Sequence, residues 1–155
     1  MPHQHINKER NVTIQKAKKL ALNYEVSEVI TIIDQYLDKD PNDADILVLK
    51  GNILEMTESV EDAKSLYGKA LLVDPTNCKA LVDMGDAYNA DNDHSVAIDY
   101  YTQALNVLKK DVLSDSTPWD KEDLEVSAYK GAIESMLSLK DQERAKKNQW
   151  GQILS

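Results

Sequence analysis

Three histidines, one cysteine and a run of carboxylates and amides are the groups in this 155-residue chain with chemistry to offer. His3 and His5 stand two residues apart near the N-terminus. A zinc site needs three or four ligands and a supporting shell, and this pair supplies neither, so no metal site is read there. Asp86, Asn89, Asp91, Asn92 and Asp93 carry the oxygens that calcium takes. A calcium loop beginning at Asp91 would need glycine at its sixth place and an acid at its twelfth. Val96 and Thr102 stand there instead, and the run reads as a polar turn between helices. Cys78 opens a helix, where a thiolate gains from the helix dipole, but no histidine accompanies it in sequence and it reads as structural. His94 reads as a packing or turn residue. No phosphate-cradling loop, Gly-x-Ser-x-Gly or His-Glu-x-x-His is present. No catalytic residue, metal or cofactor is assigned, and an enzyme is not expected.

The elements that position these groups are helices. Glycine and proline number only 5 and 4, and the rest is rich in Ala, Leu, Lys, Glu and Asp, so the chain favours helix throughout. Helices are expected at 10–23, 27–38, 44–57, 60–73, 78–90 and 95–108, with residues 1–9 as a loose polar tail. Asp40-Pro41 and Asp74-Pro75 end helices, because proline disfavours helix in the residue before it. Ser59 with Asp62 resembles a capping box. Beyond Leu108 the helix is expected to overrun to about Val112. Thr117-Pro118-Trp119-Asp120 then reads as the start of a helix reaching about Leu139, followed by a last helix over 141–153.

The chain also repeats itself. Shifted by 34 residues, Leu47 meets Leu81, Val48 meets Val82, Gly51 meets Gly85, Ala63 meets Ala97, Tyr67 meets Tyr101 and Ala70 meets Ala104. One shift earlier, Leu20 meets Leu54, Leu37 meets Leu71, and Asp40-Pro41 meets Asp74-Pro75. This pattern resembles the tetratricopeptide-repeat (TPR) family, whose repeat sets a small residue at position 8, Ala at 20, an aromatic at 24, Ala at 27 and Pro at 32. Gly51, Ala63, Tyr67, Ala70 and Pro75 match in one copy; Gly85, Ala97, Tyr101 and Ala104 match in the next, where Lys109 replaces the proline. The resemblance implies an all-α, right-handed solenoid of helix-turn-helix units at 10–43, 44–77 and 78–111. A divergent C-terminal helical pair over 112–155 completes it. The small residues let paired helices approach, and Tyr67 and Tyr101 are expected to fill the space between units. Gly131, 46 residues after Gly85, would be position 8 of the divergent unit and implies a 12-residue insertion.

The resemblance also implies a function, the binding of a partner peptide along the concave groove formed by the first helix of each unit. Inward positions 2, 5, 6, 9 and 12 bring Lys18, Asp45, Val48, Asn52, Glu55, Lys79, Val82, Asp83, Asp86 and Asn89 to that groove. Asn52 resembles the family's amide that holds a peptide backbone. Some TPR proteins grip an acidic chaperone tail with a clamp of lysines, asparagines and an arginine. This chain offers Ile14, Lys18, Leu49, Lys79 and Asp83 in one register and Val48, Asn52, Asp83, Glu125 and Tyr129 in the other. One position matches in each, so the clamp is not expected. A basic or apolar peptide is preferred instead, in keeping with 27 acidic against 18 basic residues and a net charge of −9.

That charge opposes binding to nucleic acid, and no apolar run is long enough for a membrane span, so a cytoplasmic protein is expected. Two readings compete with the adaptor: a small dedicated chaperone, for which secretion chaperones of similar size and acidity are the precedent, and a self-assembling scaffold. Trp150, Ile153 and Leu154 share one helical face and read as a cap over the last unit, with docking on a second chain as the competitor.

Overall fold

Good helix formers separated by short polar turns leave the chain few alternatives to helix. The structure, a computed structural model, describes residues 2–57, 59–110 and 117–153, with side chains for 8–57, 59–110 and 117–148. Among the described residues there are seven helices and no strand: α1 (Pro2–Leu22), α2 (Val26–Leu37), α3 (Ala44–Glu55), α4 (Val60–Val73), α5 (Cys78–Ala90), α6 (His94–Lys109) and α7 (Lys121–Ile153). The first six fold back in pairs, α1 on α2, α3 on α4 and α5 on α6, and α7 packs on α5 and α6.

The α3/α4 and α5/α6 pairs are each held by a contact that only glycine allows. A Cβ built on Gly85 would come within 2.6 Å of Tyr101 Cε1, and one on Gly51 would run into the Tyr67 ring in the same way. The tyrosines therefore wedge within their own pairs, rather than only between units as expected. Tyr101 does both. A Cβ on Gly131 of α7 would lie 2.5 Å from its hydroxyl, so one ring fixes the approach of α5 and α7 to α6. Three clusters of buried side chains run along the stack. They centre on Ile14, Ile33 and Ile46, on Val48, Tyr67 and Ala70, and on Val82, Tyr101 and Leu108.

The turns show how local chemistry sets the pair geometry. After α1, Glu25 N–H donates to Leu20 O (3.1 Å) and Tyr24 N–H to Ala21 O (3.1 Å), the hydrogen bonds of a Schellman stop. The same motif follows α5, where Asp93 N–H donates to Tyr88 O at 2.9 Å. Such a stop needs a left-handed residue. Asn92 tolerates that conformation (φ 64°), but Tyr24 adopts it with a bulky side chain (φ 60°). Tyr24 is 82% exposed, so the ring gains little burial in return. Replacing it with glycine relieves the strain, and Tyr24→Gly should raise the urea midpoint by the equivalent of about 1 kcal/mol.

Several expectations are corrected. In place of a loose tail over 1–9, residues 2–9 are part of α1. Nothing from His3 onward breaks a helix, and its end is anchored by a Glu9–Lys39 ion pair and by Arg10. Ser59 makes no side-chain cap, so the capping box does not form. Thr117 does not start α7; Asp120 does, its Oδ1 accepting from Asp123 N–H at 3.0 Å. In place of a divergent helical pair, one helix of 33 residues runs through the expected break at Lys140, because no glycine or proline interrupts Lys140–Asn148. The expected overrun to Val112 and the cap by Trp150, Ile153 and Leu154 lie outside the described side chains.

Candidate functional site

The first helices of the pairs bring their sequence-selected residues to one side of the stack, but most of those side chains serve the stack itself. At its edge, Asp43 Oδ1 caps α3 through Ile46 N–H (3.1 Å) and Asn77 Oδ1 caps α5 through Ala80 N–H (3.0 Å). Arg10 of α1 bridges Asp43 (2.7 Å) and Asp45 (2.5 Å), and Asp45 accepts from Asn77 Nδ2 at 2.8 Å. Tyr36 Oη adds a bond to Asp43 at 3.1 Å. One polar chain thus ties three successive units. Asp45 belongs to it and is not free for a ligand. The sequence reading passed over Arg10, whose signal was a cation placed to meet two acids on a neighbouring helix start.

Deeper in, Val48 and Val82 are buried. Asn52 Nδ2 donates to Tyr67 Oη (2.9 Å) and to Asp83 Oδ2 (2.7 Å), and Lys79 bonds the other oxygen of Asp83. The Tyr67 hydroxyl also faces the Glu55 carboxyl. Asn52 is therefore part of an internal network rather than a free peptide hook, and Asp83 is buried. Asn89 Oδ1 accepts from Ser135 Oγ of α7 at 2.8 Å and lies 2.6 Å from His94 Nδ1, which fixes the end of α5 to α7. Asp86 remains exposed while accepting from Tyr101 Oη at 2.6 Å. Cys78 is buried, and burial pushes its thiol up to about 11, so it is protonated at neutral pH. Among the described residues no cluster of three or more His, Cys, Asp or Glu is placed to hold a metal ion.

The carboxyls of this network share an electrostatic property. Burial is the largest cause of an upward shift for Asp45, Glu55 and Asp83, partly offset by the Asn77 bond, the Tyr67 hydroxyl and Lys79 respectively. A carboxyl raised in the folded state holds protons that the unfolded chain has already released. The stability it contributes is complete below the ordinary carboxyl value of about 4 and is lost as pH rises through the raised value. The urea midpoint should therefore be higher at pH 5 than at pH 7.5. A midpoint that falls on going to pH 5 would show these carboxyls to be fully ionised in the fold.

Between Lys18 of α1 and Lys79 of α5 lies a residue the sequence reading assigned only to the divergent end. Trp119 packs against all three core clusters. Its ring has Lys18 Nζ 5.5 Å and Lys79 Nζ 5.2 Å from its centroid, contacts worth about 0.5–1 kcal/mol each where partly exposed. Lys18 Nζ also donates to Pro118 O at 3.2 Å. Beside the indole, a cleft of about 200 Å³ stays open, lined by Lys79, Val82, Asp86, Asp120, Asp123 and Ser127 among others. The available signal was a large aromatic inside an insertion that breaks the repeat register, since such a ring must be buried somewhere.

No family profile and no curated protein matches the chain at the sequence level. Solved structures do match. The TPR domain of Sgt2 from Aspergillus fumigatus superposes with a TM-score of 0.70 at 18% identity, covering 86% of this chain and 81% of that one. The chain has a TPR fold. The first TPR domain of human RPAP3 agrees, with a TM-score of 0.70 at 17% identity and coverage of 89% and 98%. So does the first TPR of Spaghetti (RPAP3) bound to the HSP90 peptide SRMEEVD, with 0.68 at 16% identity and coverage of 86% and 94%. Lys18 stands on α1 and Lys79 on α5, the first helices of their pairs, with Trp119 between them. Among the described residues no helix is long and apolar enough to cross a membrane.

Proposed function

We propose that this chain is a protein-interaction module that grips an extended segment of a partner protein on its concave side. The observation that carries the reading is the open cleft beside Trp119, which remains after the internal pairing of Asn52, Asp83 and Asn89 is complete. Its walls combine an apolar floor, Val82 and Leu124, with three carboxylates, Asp86, Asp120 and Asp123, against one ammonium, Lys79. That balance suits a segment with apolar and basic side chains. The similar RPAP3 domain binds an acidic HSP90 peptide. In this chain Asp83 stands where the clamp would need a cation, so the same ligand is not proposed.

Ser127 and Asp123 line the cleft and are exposed. Asp123→Lys/Ser127→Trp should block the cleft and leave the stack folded. A partner captured by the wild type should be lost with this variant and kept by Lys69→Glu/Gln103→Arg, two exposed positions on second helices. Equal capture by all three proteins would move the site off the concave side.

One observation favours self-association as a second reading. Val126, Tyr129, Ile133, Met136 and Leu137 of α7 are between 47% and 66% exposed and recur at helical spacing. The helix is acidic before this stripe, at Glu122, Asp123 and Glu125, and mainly basic after it, at Lys140, Arg144, Lys146 and Lys147. Glu122 and Arg144 each lie 11 residues from Ile133. A second copy of α7 packed antiparallel about Ile133 therefore sets acid against base at both ends. Sedimentation velocity should show a dimer at micromolar concentration that Ile133→Glu converts to monomer. A wild type that stays monomeric at 100 μM, on the order of the weakest association worth the name, would remove this reading.

A further inference from the structure

We propose that the space between Lys18 and Lys79 is an aromatic-binding subsite of the concave groove, which Trp119 occupies in cis and an aromatic side chain of the partner segment takes over. The proposal rests on the groove reading above and names what the groove selects.

Trp119 is held as a ligand is held. Its ring meets two ammonium groups from separate helices, 5.5 and 5.2 Å from its centroid, and the carbonyl before it accepts from Lys18. A ring quadrupole facing two cations is selective for aromatics over aliphatic side chains of equal size. The segment that delivers the ring is not part of the repeating helices. Thr117–Asp120 is non-helical, α7 starts only at Lys121, and the segment falls in the stretch that breaks the 34-residue register. No helix of the stack is therefore interrupted when the segment leaves the groove. The fit is also incomplete. Trp119 Nε1 is buried and finds no hydrogen-bond partner among the described residues, so the internal occupant carries a desolvation cost that a better-matched ring avoids. Trp119 itself lines the open cleft, which gives an incoming segment a place to seat before the exchange.

The test uses a fluorescein-labelled peptide of the sequence Ser-Thr-Pro-Trp-Asp-Lys-Glu, which copies residues 116–122, read by anisotropy against the full chain. Trp119→Ala empties the subsite and should bind this peptide. The wild type should bind at least about tenfold more weakly, because its tethered segment competes at an effective concentration in the millimolar range. A peptide with alanine in place of tryptophan should not bind Trp119→Ala, and adding Lys18→Met/Lys79→Met should abolish binding of the tryptophan peptide. A folded Trp119→Ala protein, checked by circular dichroism, that treats the two peptides alike would overturn the proposal.

If Trp119→Ala does not fold, a Trp150→Phe protein decides, with Trp119 as its one indole. Millimolar Ser-Thr-Pro-Phe-Asp-Lys-Glu should shift Trp119 emission to the red and raise its quenching by acrylamide. Unchanged emission would overturn the proposal. Failure here, with partner capture still blocked by Asp123→Lys/Ser127→Trp, removes the aromatic subsite alone. Partner capture that survives that variant removes the groove reading as well.

Discussion

Tyr101→Ala should lower the stability of this chain by about 3–5 kcal/mol, the range for truncating a fully buried aromatic. Tyr101 has no exposed surface and lies against Gly85 and Gly131, each stripped of a side chain to admit the ring. Alanine leaves a ring-sized cavity that neither glycine can fill, and its neighbours are helix backbones that close only by shifting whole helices. For a chain of this length the melting temperature should fall by roughly 10 °C. The damage should be local at first, because units of a solenoid contact only their neighbours. Hydrogen exchange should rise in α5, α6 and α7 before it rises in α1 and α2. Tyr101→Phe separates the ring from the hydroxyl. It loses only the 2.6 Å bond to the exposed Asp86 and should cost about 1 kcal/mol. Equal losses from the two variants would mean that the ring does not set the helix spacing.

The second large effect is expected at Asp83. Its side chain is almost fully buried, at 5% exposure, while that of Lys79 is 21% exposed. Asp83→Ala leaves Lys79 without its acceptor and Asn52 with Tyr67 as its remaining partner among the bonds described above. Breaking a buried pair costs about 3–5 kcal/mol, and the partial exposure of Lys79 brings the expected loss to about 2–4 kcal/mol. Asp83→Asn keeps an acceptor for Lys79 but turns an NH2 toward Asn52, whose own amide must flip to accept it, and should cost about 1–2 kcal/mol. It also removes one of the raised carboxyls, so it should weaken the gain in stability between pH 7.5 and pH 5. An Asp83→Asn protein with an unchanged pH profile would place that gain on Asp45, Glu55 and Asp86, whose carboxyls burial also raises.

Most of the fold was legible because its cues are local or periodic. Gly51, Gly85, Tyr67 and Tyr101 recur at 34 residues, and Asp-Pro pairs mark the turns, so α2 to α6 appeared within a few residues of their observed bounds, while α1 extends back to Pro2. Gly131 could be matched to Gly85 across an insertion because the packing demand is the same, one small residue against one ring. The exact caps were less legible. Ser59 and Thr117 have capping side chains, yet Asp43, Asn77 and Asp120 do the capping, since a hydroxyl or carboxylate caps only where the chain path aims it at the helix start.

The groove was the least legible part. Spacing puts Asp45, Asn52, Asp83 and Asn89 on the first helices of their units, but spacing cannot tell whether a polar side chain faces solvent or a neighbouring unit. Each of the four turned out to have a partner 31 or more residues away, from Asn52 and Asp83 at 31 to Asn89 and Ser135 at 46. Trp119 shows the same limit from the other side. Its place between Lys18 and Lys79 spans 100 residues of chain by way of the Lys18–Pro118 bond, and no repeat pattern encodes it. Packing within a unit follows from a period written in the chain. Pairing between units depends on how the units stack, and stacking is a sum of many weak contacts that has no local signature.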